Sequence, residues 1–104
     1  MSAFLSIFIT AASQEEASTI AQVLVEERLA ACATILLHAQ SVYRWQGKVE
    51  QAEECAIIAK TTMEKFDALQ KRVKDIHSYE CPCIVATPIV AGNESYLKWV
   101  AENT

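Results

Sequence analysis

The sequence predicts an α+β fold in which two helices cover one face of an antiparallel sheet. Short apolar runs rich in β-branched and aromatic residues alternate with two longer segments whose apolar residues recur at helical spacing. The 104 residues suit one domain spanning positions 1–104. With 21% charged residues, two glycines and two prolines, the composition excludes disordered and low-complexity proteins.

The first third of the chain predicts a strand and then a helix. The strand covers residues 4–10, which are largely apolar and β-branched or aromatic. Ser13 and Glu16 follow at the spacing of a capping box, in which each side chain bonds the other residue's backbone N–H. Apolar residues on one helical face predict that this helix continues to about Ala31.

The middle of the chain predicts a long β-hairpin. Residues 33–45 have an extended pattern with a bend or bulge near residues 38–40. Gly47 suits a tight turn because glycine takes a positive φ without steric cost. In the return strand, residues 49–59, we expect the acidic first half to project beyond the sheet and the apolar second half to enter the core.

The last third predicts a helix, a strand and a short final helix. A second capping box, residues 61–64, would open the helix, and Pro82 prevents its continuation. Residues 84–87 suit a short strand, and Asn93 caps the final helix. The order β-α-β-β-α-β is that of a ferredoxin-like sandwich, here with a long central hairpin and a C-terminal helix.

The long hairpin also predicts assembly. The two helices can cover only one face of the sheet, yet the hairpin carries Val42, Tyr43 and Trp45 beyond their cover. Exposed strand edges with aromatic side chains favour pairing with another copy of the chain. We therefore expect a closed homo-oligomer that is built through the hairpin.

Charge and hydropathy exclude several classes of function. Nine basic against 13 acidic side chains give a net charge of −4, which disfavours nucleic-acid binding. No apolar run approaches the ~20 residues of a membrane helix, and the first residues lack the basic segment of a signal peptide. We expect the four cysteines to be reduced thiols in a cytoplasmic protein.

Cys81 and Cys83 form the first candidate site. Two thiolates one residue apart, with His77 four residues upstream, are ligands that Cu(I) or Zn(II) accepts. The alternative is that both thiols pack as small apolar groups, because structural zinc motifs use paired elements and this chain has one C-x-C. Cys32, just after the first helix, and Cys55, in an apolar run, are expected to be buried.

The second candidate site is a cleft between subunits. A histidine beside a carboxylate could do acid–base work, but no nucleophile elbow or glycine-rich phosphate loop accompanies it, so we expect no enzyme. Aromatic and cationic residues of the hairpin suit either a small anionic ligand or packing against a neighbouring subunit. The residues expected at this cleft are Tyr43, Trp45, Lys60, His77, Tyr79 and Glu80.

Several separate motifs, in order along the chain, carry a resemblance to a known family. They are residues 27–32 (ERLAAC), 41–48 (SVYRWQGK), Glu53-Glu54 with Lys60-Thr61, 77–82 (HSYECP), and 88–93 (PIVAGN) with Tyr96, Leu97 and Trp99. Together they resemble the CutA divalent-cation tolerance proteins over practically the whole chain. The resemblance implies a ferredoxin-like fold, a very stable homotrimer similar in architecture to the PII signalling proteins, and a link to copper and other divalent metals. It implies no established catalytic reaction.

The sequence departs from the family pattern in two respects. The family commonly has His-Pro-Tyr where this chain has Ser78 in the middle position, so we expect a less fixed turn. Some members also carry a cysteine late in the first strand and a second histidine before the motif, both proposed as copper ligands. Ile9 and Ile76 occupy those positions here, and only His77 remains of that set.

The leading functional hypothesis is a homotrimeric divalent-cation tolerance protein that responds to metal ions by binding rather than by turnover. Copper or another divalent metal is the candidate ligand, and no cofactor is firmly implied. The alternatives are a PII-like sensor that binds a small anionic metabolite between subunits and a structural scaffold without a ligand. A small hydrolase that depends on His77 is a further alternative.

Overall fold

The computed structural model describes residues 3–104 and confirms the predicted α+β architecture. Its elements are β1 (Phe4–Ala11), α1 (Gln14–Glu26), β2 (Cys32–Trp45), β3 (Lys48–Thr62), a 3₁₀ turn (Met63–Lys65), α2 (Phe66–Ile76), β4 (Ile84–Pro88) and α3 (Glu94–Glu102). The four strands form one antiparallel sheet in the order β2-β3-β1-β4. Within residues 3–104, no helix has both the length and the hydropathy of a membrane-spanning segment.

The hydrophobic core lies between the sheet and the helices α1 and α2. In β1 the side chains alternate, and every second one points at the helices. Each fully buried aliphatic side chain in this layer contributes about 1.5–3 kcal/mol of burial free energy. The largest of these residues are Ile7, Ile9, Ile20, Leu24, Ile57, Leu69 and Val73.

The opposite face of the sheet is covered only at one end. There α3 approaches β2, and the Tyr96 hydroxyl lies 3.2 Å from Cys32 Sγ. Elsewhere this face presents Phe8, Leu36 and Val85, which are 43%, 47% and 51% exposed. We call the surface around these three residues the open sheet face. It is apolar surface that a single chain leaves in water.

The hairpin of β2 and β3 confirms both its predicted turn and its predicted bulge. Gln46 and Gly47 connect the strands with φ of 50° and 80°, the positive values of a two-residue type I′ turn. The register shifts between Leu36 and Ala39, where His38 adopts a φ of 60°. This extra residue is the bulge expected near residues 38–40.

The predicted end of α1 near Ala31 is wrong. Arg28 takes the left-handed conformation with a φ of 59°, and the Leu29 N–H donates to the Leu24 carbonyl at 2.8 Å. These are features of a Schellman motif, which ends the helix. The helical spacing predicted too long a helix because the residues after it are also buried apolar residues. Cys32 consequently begins β2 instead of closing the helix, and it is half-buried.

The second capping box is also wrong, because β3 continues through Thr61 and Thr62. The Thr61 hydroxyl is buried and donates to the Leu29 carbonyl at 2.7 Å. Thr62 makes no side-chain cap, and a 3₁₀ turn precedes α2. The final helix begins where predicted, since the Asn93 side chain accepts from the N–H groups of Ser95 and Tyr96.

Candidate functional site

His77 fixes the segment after α2 to the end of β1. Its Nε2 lies 2.8 Å from the Thr10 carbonyl, and its Nδ1 lies 3.0 Å from the Tyr79 amide nitrogen. A carbonyl only accepts and an amide N–H only donates, so these partners fit the tautomer that carries its proton on Nε2. The side chain is fully buried. Both ring nitrogens are therefore occupied, and neither is free to bind a metal ion in this arrangement.

Glu16 holds the same turn from the start of α1. As predicted, the Ser13 hydroxyl accepts from the Glu16 N–H at 3.1 Å, while Glu16 Oε1 accepts from the N–H of Ala12 at 2.9 Å. Its Oε2 accepts from the Ser78 N–H at 2.7 Å. Burial by itself would raise the pKa of Glu16, but the hydrogen bonds from Ala12 and Ser78 outweigh it, and the pKa is lowered.

The turn that was expected to be less fixed at Ser78 contains a hydrogen bond to another element of the fold. The N–H that Ser78 donates to Glu16 is a group that proline would lack. A hydrogen bond to α1 thus supplies a constraint that a proline at this position could not make. The turn is held at Ser78 and, through the two ring nitrogens, at His77.

Tyr79 connects this turn to the hairpin. Its ring centroid lies 4.7 Å from that of His77, and its hydroxyl donates to Glu54 Oε2 at 2.7 Å. Burial, followed by the hydrogen bond to the Glu54 carboxylate, raises the pKa of Tyr79 well above its usual value. The phenol is consequently held protonated as a hydrogen-bond donor.

Glu54 is the functional candidate that the sequence did not reveal. It was expected to project with the rest of the acidic stretch, and Glu50 and Glu53 are indeed exposed. Glu54 is only 8% exposed and is the one charged side chain counted as buried within residues 3–104. Within that range Arg72 pairs with Glu27, and the two histidines lie beside Glu16 and Glu53, so no cationic side chain pairs with Glu54.

The signal that could have identified Glu54 is its position in the strand. It directly precedes the buried run that begins at Cys55, and it shares strand parity with Ala56, on the face opposite the helices. The sheet and the segment after α2 bury a carboxylate at that position. Glu53 points to the other side of the strand and pairs with His38.

The predicted metal ligands do not form a metal-binding group within one chain. Cys81 is exposed and Cys83 is half-buried in the irregular segment before β4, and all four cysteines are free thiols. Within the described residues there is no set of three His, Cys, Asp or Glu side chains that could together hold a metal ion. Burial, and then the negative charge of Glu54, raise the pKa of the Cys83 thiol.

The residues predicted for the cleft lie in separate places on a single chain. Tyr43 and Trp45 are exposed on the outer half of the hairpin. Trp45 pairs with Lys48 at one end of β3, so Lys60 lies roughly 40 Å away along the strand at ~3.4 Å per residue. The other three, which are His77, Tyr79 and Glu80, follow α2, with Glu80 exposed. One chain cannot bring this whole set to one small ligand.

Two surface depressions of the structure lie elsewhere. One, of about 390 Å³, lies along α1 and includes Glu16 and Ile76. The other, of about 340 Å³, lies between α1 and the start of β2. Both are on the helix side of the sheet, and none of the residues predicted for the cleft lines either of them.

The fold and the site define a small ferredoxin-like α+β protein with an extended hairpin and an open sheet face. The turn after α2 is held by hydrogen bonds and lies beside a buried carboxylate. Comparison with known proteins identifies the family: the family model of the CutA1 divalent ion tolerance protein matches residues 5–103. The chain belongs to this family, which confirms the resemblance found in the sequence.

The relatives match over nearly the whole chain. The divalent-cation tolerance protein CutA of Thermus thermophilus is 51% identical over 98 residues, covering 94% of this chain and 95% of that protein. The protein of the same name from Archaeoglobus fulgidus is 48% identical over 96 residues, covering 92% and 93%. The human protein CutA is 37% identical, and the match covers 93% of this chain but 54% of the human protein.

Solved structures agree equally well. The structure of the Thermus thermophilus divalent cation tolerance protein has a TM-score of 0.96 at 50% identity and covers 97% of this chain and 98% of that chain. Rice CutA1 also has a TM-score of 0.96, at 36% identity, with coverage of 98% and 94%. These matches confirm the predicted fold class.

Proposed function

We propose that this CutA-family chain is a cytoplasmic homotrimer that takes part in the response to divalent metal ions and acts by binding rather than by turnover. The divalent-cation role follows the names of its relatives from Thermus thermophilus and Archaeoglobus fulgidus. The observation that supports the proposed assembly is the apolar surface that one chain leaves exposed.

That surface has two parts. Phe8 and Val85 are exposed on the open sheet face, and Val42 and Val49 are exposed on the outer hairpin. Exposed apolar patches of this kind favour protein–protein contact. A second copy that packed on them would bury both parts and could bring the hairpin of one subunit towards the Lys60 region of another. The choice of a trimer over a dimer rests on the family resemblance.

Binding without turnover is supported by the state of the two best acid–base candidates. His77 has no free ring nitrogen. Tyr79 is held protonated, because burial and the Glu54 carboxylate raise its pKa. Neither group is placed to take a proton from a substrate.

Metal contact is proposed for the segment that carries Cys81 and Cys83. Both are free thiols, and soft sulfur ligands select copper and zinc. His77 belongs to the predicted ligand set but would need to give up its bond to Thr10 or to Tyr79 before it could join. The cytoplasmic location is proposed because thiols persist in a reducing compartment.

The test combines mass in solution with metal titration. At low micromolar concentration, sedimentation should give three times the chain mass. Reduced protein should bind copper or zinc, and metal binding should raise the melting temperature. A variant with Cys81→Ser and Cys83→Ser should lose this binding, whereas Cys32→Ser, at a half-buried thiol beside α3, should retain it.

Three results would contradict the proposal. A well-folded monomer would exclude the trimer, and unchanged metal binding in the double variant would exclude the thiol segment. Stabilisation by a small anionic metabolite, with no effect of metals, would instead support the PII-like sensor, for which Lys60 is the predicted cation of the cleft. If neither class of ligand changes the melting temperature, the scaffold is supported.

A further inference from the structure

A row of polar side chains crosses the sheet beside the open sheet face, at the end that α3 covers. Lys60 in β3 pairs with Cys32 in β2 and with Ser6 in β1, and Ser6 in turn pairs with Thr87 in β4. All four side chains point away from α1 and α2, because the next residues along each strand pack in the core on the helix side. Directly opposite residues on one face have their Cβ atoms about 4.5–5.5 Å apart, so these four side chains are neighbours.

Lys60 has no counter-charge on this side of the sheet. The salt bridges within residues 3–104 do not include it. The strands β1, β2 and β4 contain no acidic residue, and the nearest one on this side of β3 is Glu54, about 20 Å along the strand. The next row towards the hairpin contains Phe8 and Ile58. The ammonium group of the half-buried Lys60 is therefore surrounded by apolar and neutral polar side chains.

The neutral side chains near Lys60 include two further hydrogen-bond donors. The Ser6 carbonyl accepts from the Thr87 hydroxyl at 3.3 Å, but the Ser6 hydroxyl itself makes no hydrogen bond to another described residue. The Tyr96 hydroxyl lies 3.2 Å from Cys32 Sγ, and either atom can be the donor. A thiol that donates to the phenol leaves the phenol O–H available for a ligand. The row thus combines a positive charge with hydroxyl donors, which is the chemistry that binds an anion.

We propose that Lys60, Ser6 and the Tyr96 hydroxyl bind a phosphate group at this end of the sheet. Lysine binds phosphate as a point charge, whereas planar carboxylates are better matched by the paired donors of arginine. The oxygens of a phosphate group point in several directions and can accept from strand and helix donors together. The ligand is inorganic phosphate or the phosphate monoester of a small metabolite.

The proposed assembly supplies a physical reason for such a ligand. A second copy that packed on the open sheet face would cover the row next to Phe8 and take Lys60 out of water. An enclosed ammonium group costs free energy unless an anion compensates its charge. Bound phosphate would remove this cost and stabilise the folded protein. The inference depends on the proposed function only in this respect, because one chain supplies all three binding residues.

The experiment measures phosphate binding to the reduced full-length protein by equilibrium dialysis near neutral pH, with chloride keeping the ionic strength constant. The wild-type protein should bind about one phosphate per chain, and its melting temperature should rise with phosphate concentration. Lys60→Gln removes the charge and should weaken the affinity at least about tenfold. Ser6→Ala and Tyr96→Phe each remove a neutral donor and should weaken it by about two- to tenfold.

Two matched variants serve as controls. Lys71→Gln makes the same change of charge at an exposed position of α2 and should keep the wild-type affinity. Thr87→Val removes the hydroxyl that already donates to the Ser6 carbonyl, so it should also bind phosphate as the wild type does. Circular dichroism establishes that each variant is folded. If Lys60→Gln does not fold, Ser6→Ala and Tyr96→Phe provide the measurement.

Two further anions identify the ligand. Acetate at the same ionic strength should bind more weakly than phosphate, and equal binding would overturn the choice of phosphate. Glycerol 3-phosphate tests the source of the group. If it binds as tightly as inorganic phosphate, the site accepts the phosphate of a larger molecule, and if it does not bind, the site is specific for the free ion. Either of these last two results supports the site.

The remaining outcomes separate this site from the proposed function. Wild-type phosphate affinity in Lys60→Gln would overturn the site, and so would equal weakening in Lys60→Gln and Lys71→Gln, because the attraction would then be general. If the wild type binds no phosphate but Lys60→Gln changes the mass in solution, Lys60 pairs with a carboxylate of a second copy. That result overturns the site and supports the assembly. Phosphate binding that depends on Lys60, in a protein that binds no metal, would support the site and overturn only the metal proposal.

Discussion

Three titratable side chains near the C-terminal end of β1 show how hydrogen bonds decide the role of a residue. His77 looks like a ligand in the sequence, yet both its nitrogens are occupied by backbone groups. Glu16 looks like a helix cap, and it also receives the Ser78 N–H from a distant turn. Glu54 looks like a surface charge, and it is buried under Tyr79. In each case the partner comes from another part of the chain.

The lowered pKa of Glu16 predicts a pH-dependent contribution to stability. A carboxyl whose folded pKa lies below its unfolded value of 4.5 stabilises the fold above pH 4.5, and this contribution is lost as the pH falls through the folded pKa. Glu16→Gln should therefore lower the free energy of unfolding by about 1 kcal/mol at neutral pH, and by less in acid. Urea unfolding of both proteins from neutral pH to below pH 4.5 measures the difference.

Glu15→Gln is the control for this measurement, because Glu15 is an exposed neighbour in the same first turn of α1 whose carboxylate makes no hydrogen bond of the kind that Glu16 makes. It should change stability less at neutral pH. A gap between wild type and Glu16→Gln that stays constant with pH would show that the charge of Glu16 does not contribute.

At the scale of elements, positions with positive φ set where the strands and helices of this chain turn. Arg28 ends α1, His38 forms the bulge, and Gln46 with Gly47 closes the hairpin. A residue with a Cβ pays a steric cost in this conformation, which glycine avoids. Only the hairpin turn has a glycine, so only this one of the three was recognisable as left-handed from residue type.

Gly47→Ala should destabilise the hairpin turn through its backbone alone. No atom lies within 4 Å of the position that the new Cβ would occupy, so steric overlap with the rest of the chain does not contribute. The φ of 80° should cost about 1 kcal/mol of unfolding free energy. Gly47→Asn should cost less, because asparagine tolerates this region. Denaturant unfolding at one fixed protein concentration measures both, and equal stability of wild type and Gly47→Ala would contradict the type I′ turn.

At the scale of the whole molecule, the two faces of the sheet differ in what covers them. The helices α1 and α2 complete one face, and α3 covers only one end of the other. The hairpin extends the molecule to 44 Å along its longest axis, against 25 and 23 Å along the others. The chain therefore has a complete core but leaves apolar side chains of the open sheet face uncovered. This is the physical reason for expecting further copies of the chain to pack on that face.

Two valines of similar exposure test which face associates. Val85 lies on the open sheet face in the edge strand β4 and is 51% exposed, while Val25 lies on α1 and is 41% exposed. Val85→Glu should shift the assembly to monomers at low micromolar concentration, because the contact would bury an unpaired charge in apolar surface. Val25→Glu should keep the wild-type mass. Sedimentation measures the mass of both variants, and circular dichroism establishes that they are folded. Dissociation of Val25→Glu alone would contradict the proposal.

The sequence predicted the order of elements and named His77 and Tyr79 of the turn after α2, but it did not reveal the buried Glu54, and its errors have local causes. The capping-box spacing occurs at Ser13 and again at Thr61, but only Ser13 caps a helix. Thr61 lies in a strand because its side chain and its pairing with Leu5 place it in the core. The spacing is the same in both cases, so the spacing alone could not have separated them.

The amino-acid sequence by itself determined the elements, the helix-facing core, the bulge, the hairpin turn and the family, because periodicity, turn chemistry and motif order are local properties of the chain. The tertiary structure alone decided that Glu54 is buried while Glu53 is not, and that both ring nitrogens of His77 bond to backbone groups. These outcomes depend on which strand and turn lie beside each side chain, and that information enters only when distant segments pack together.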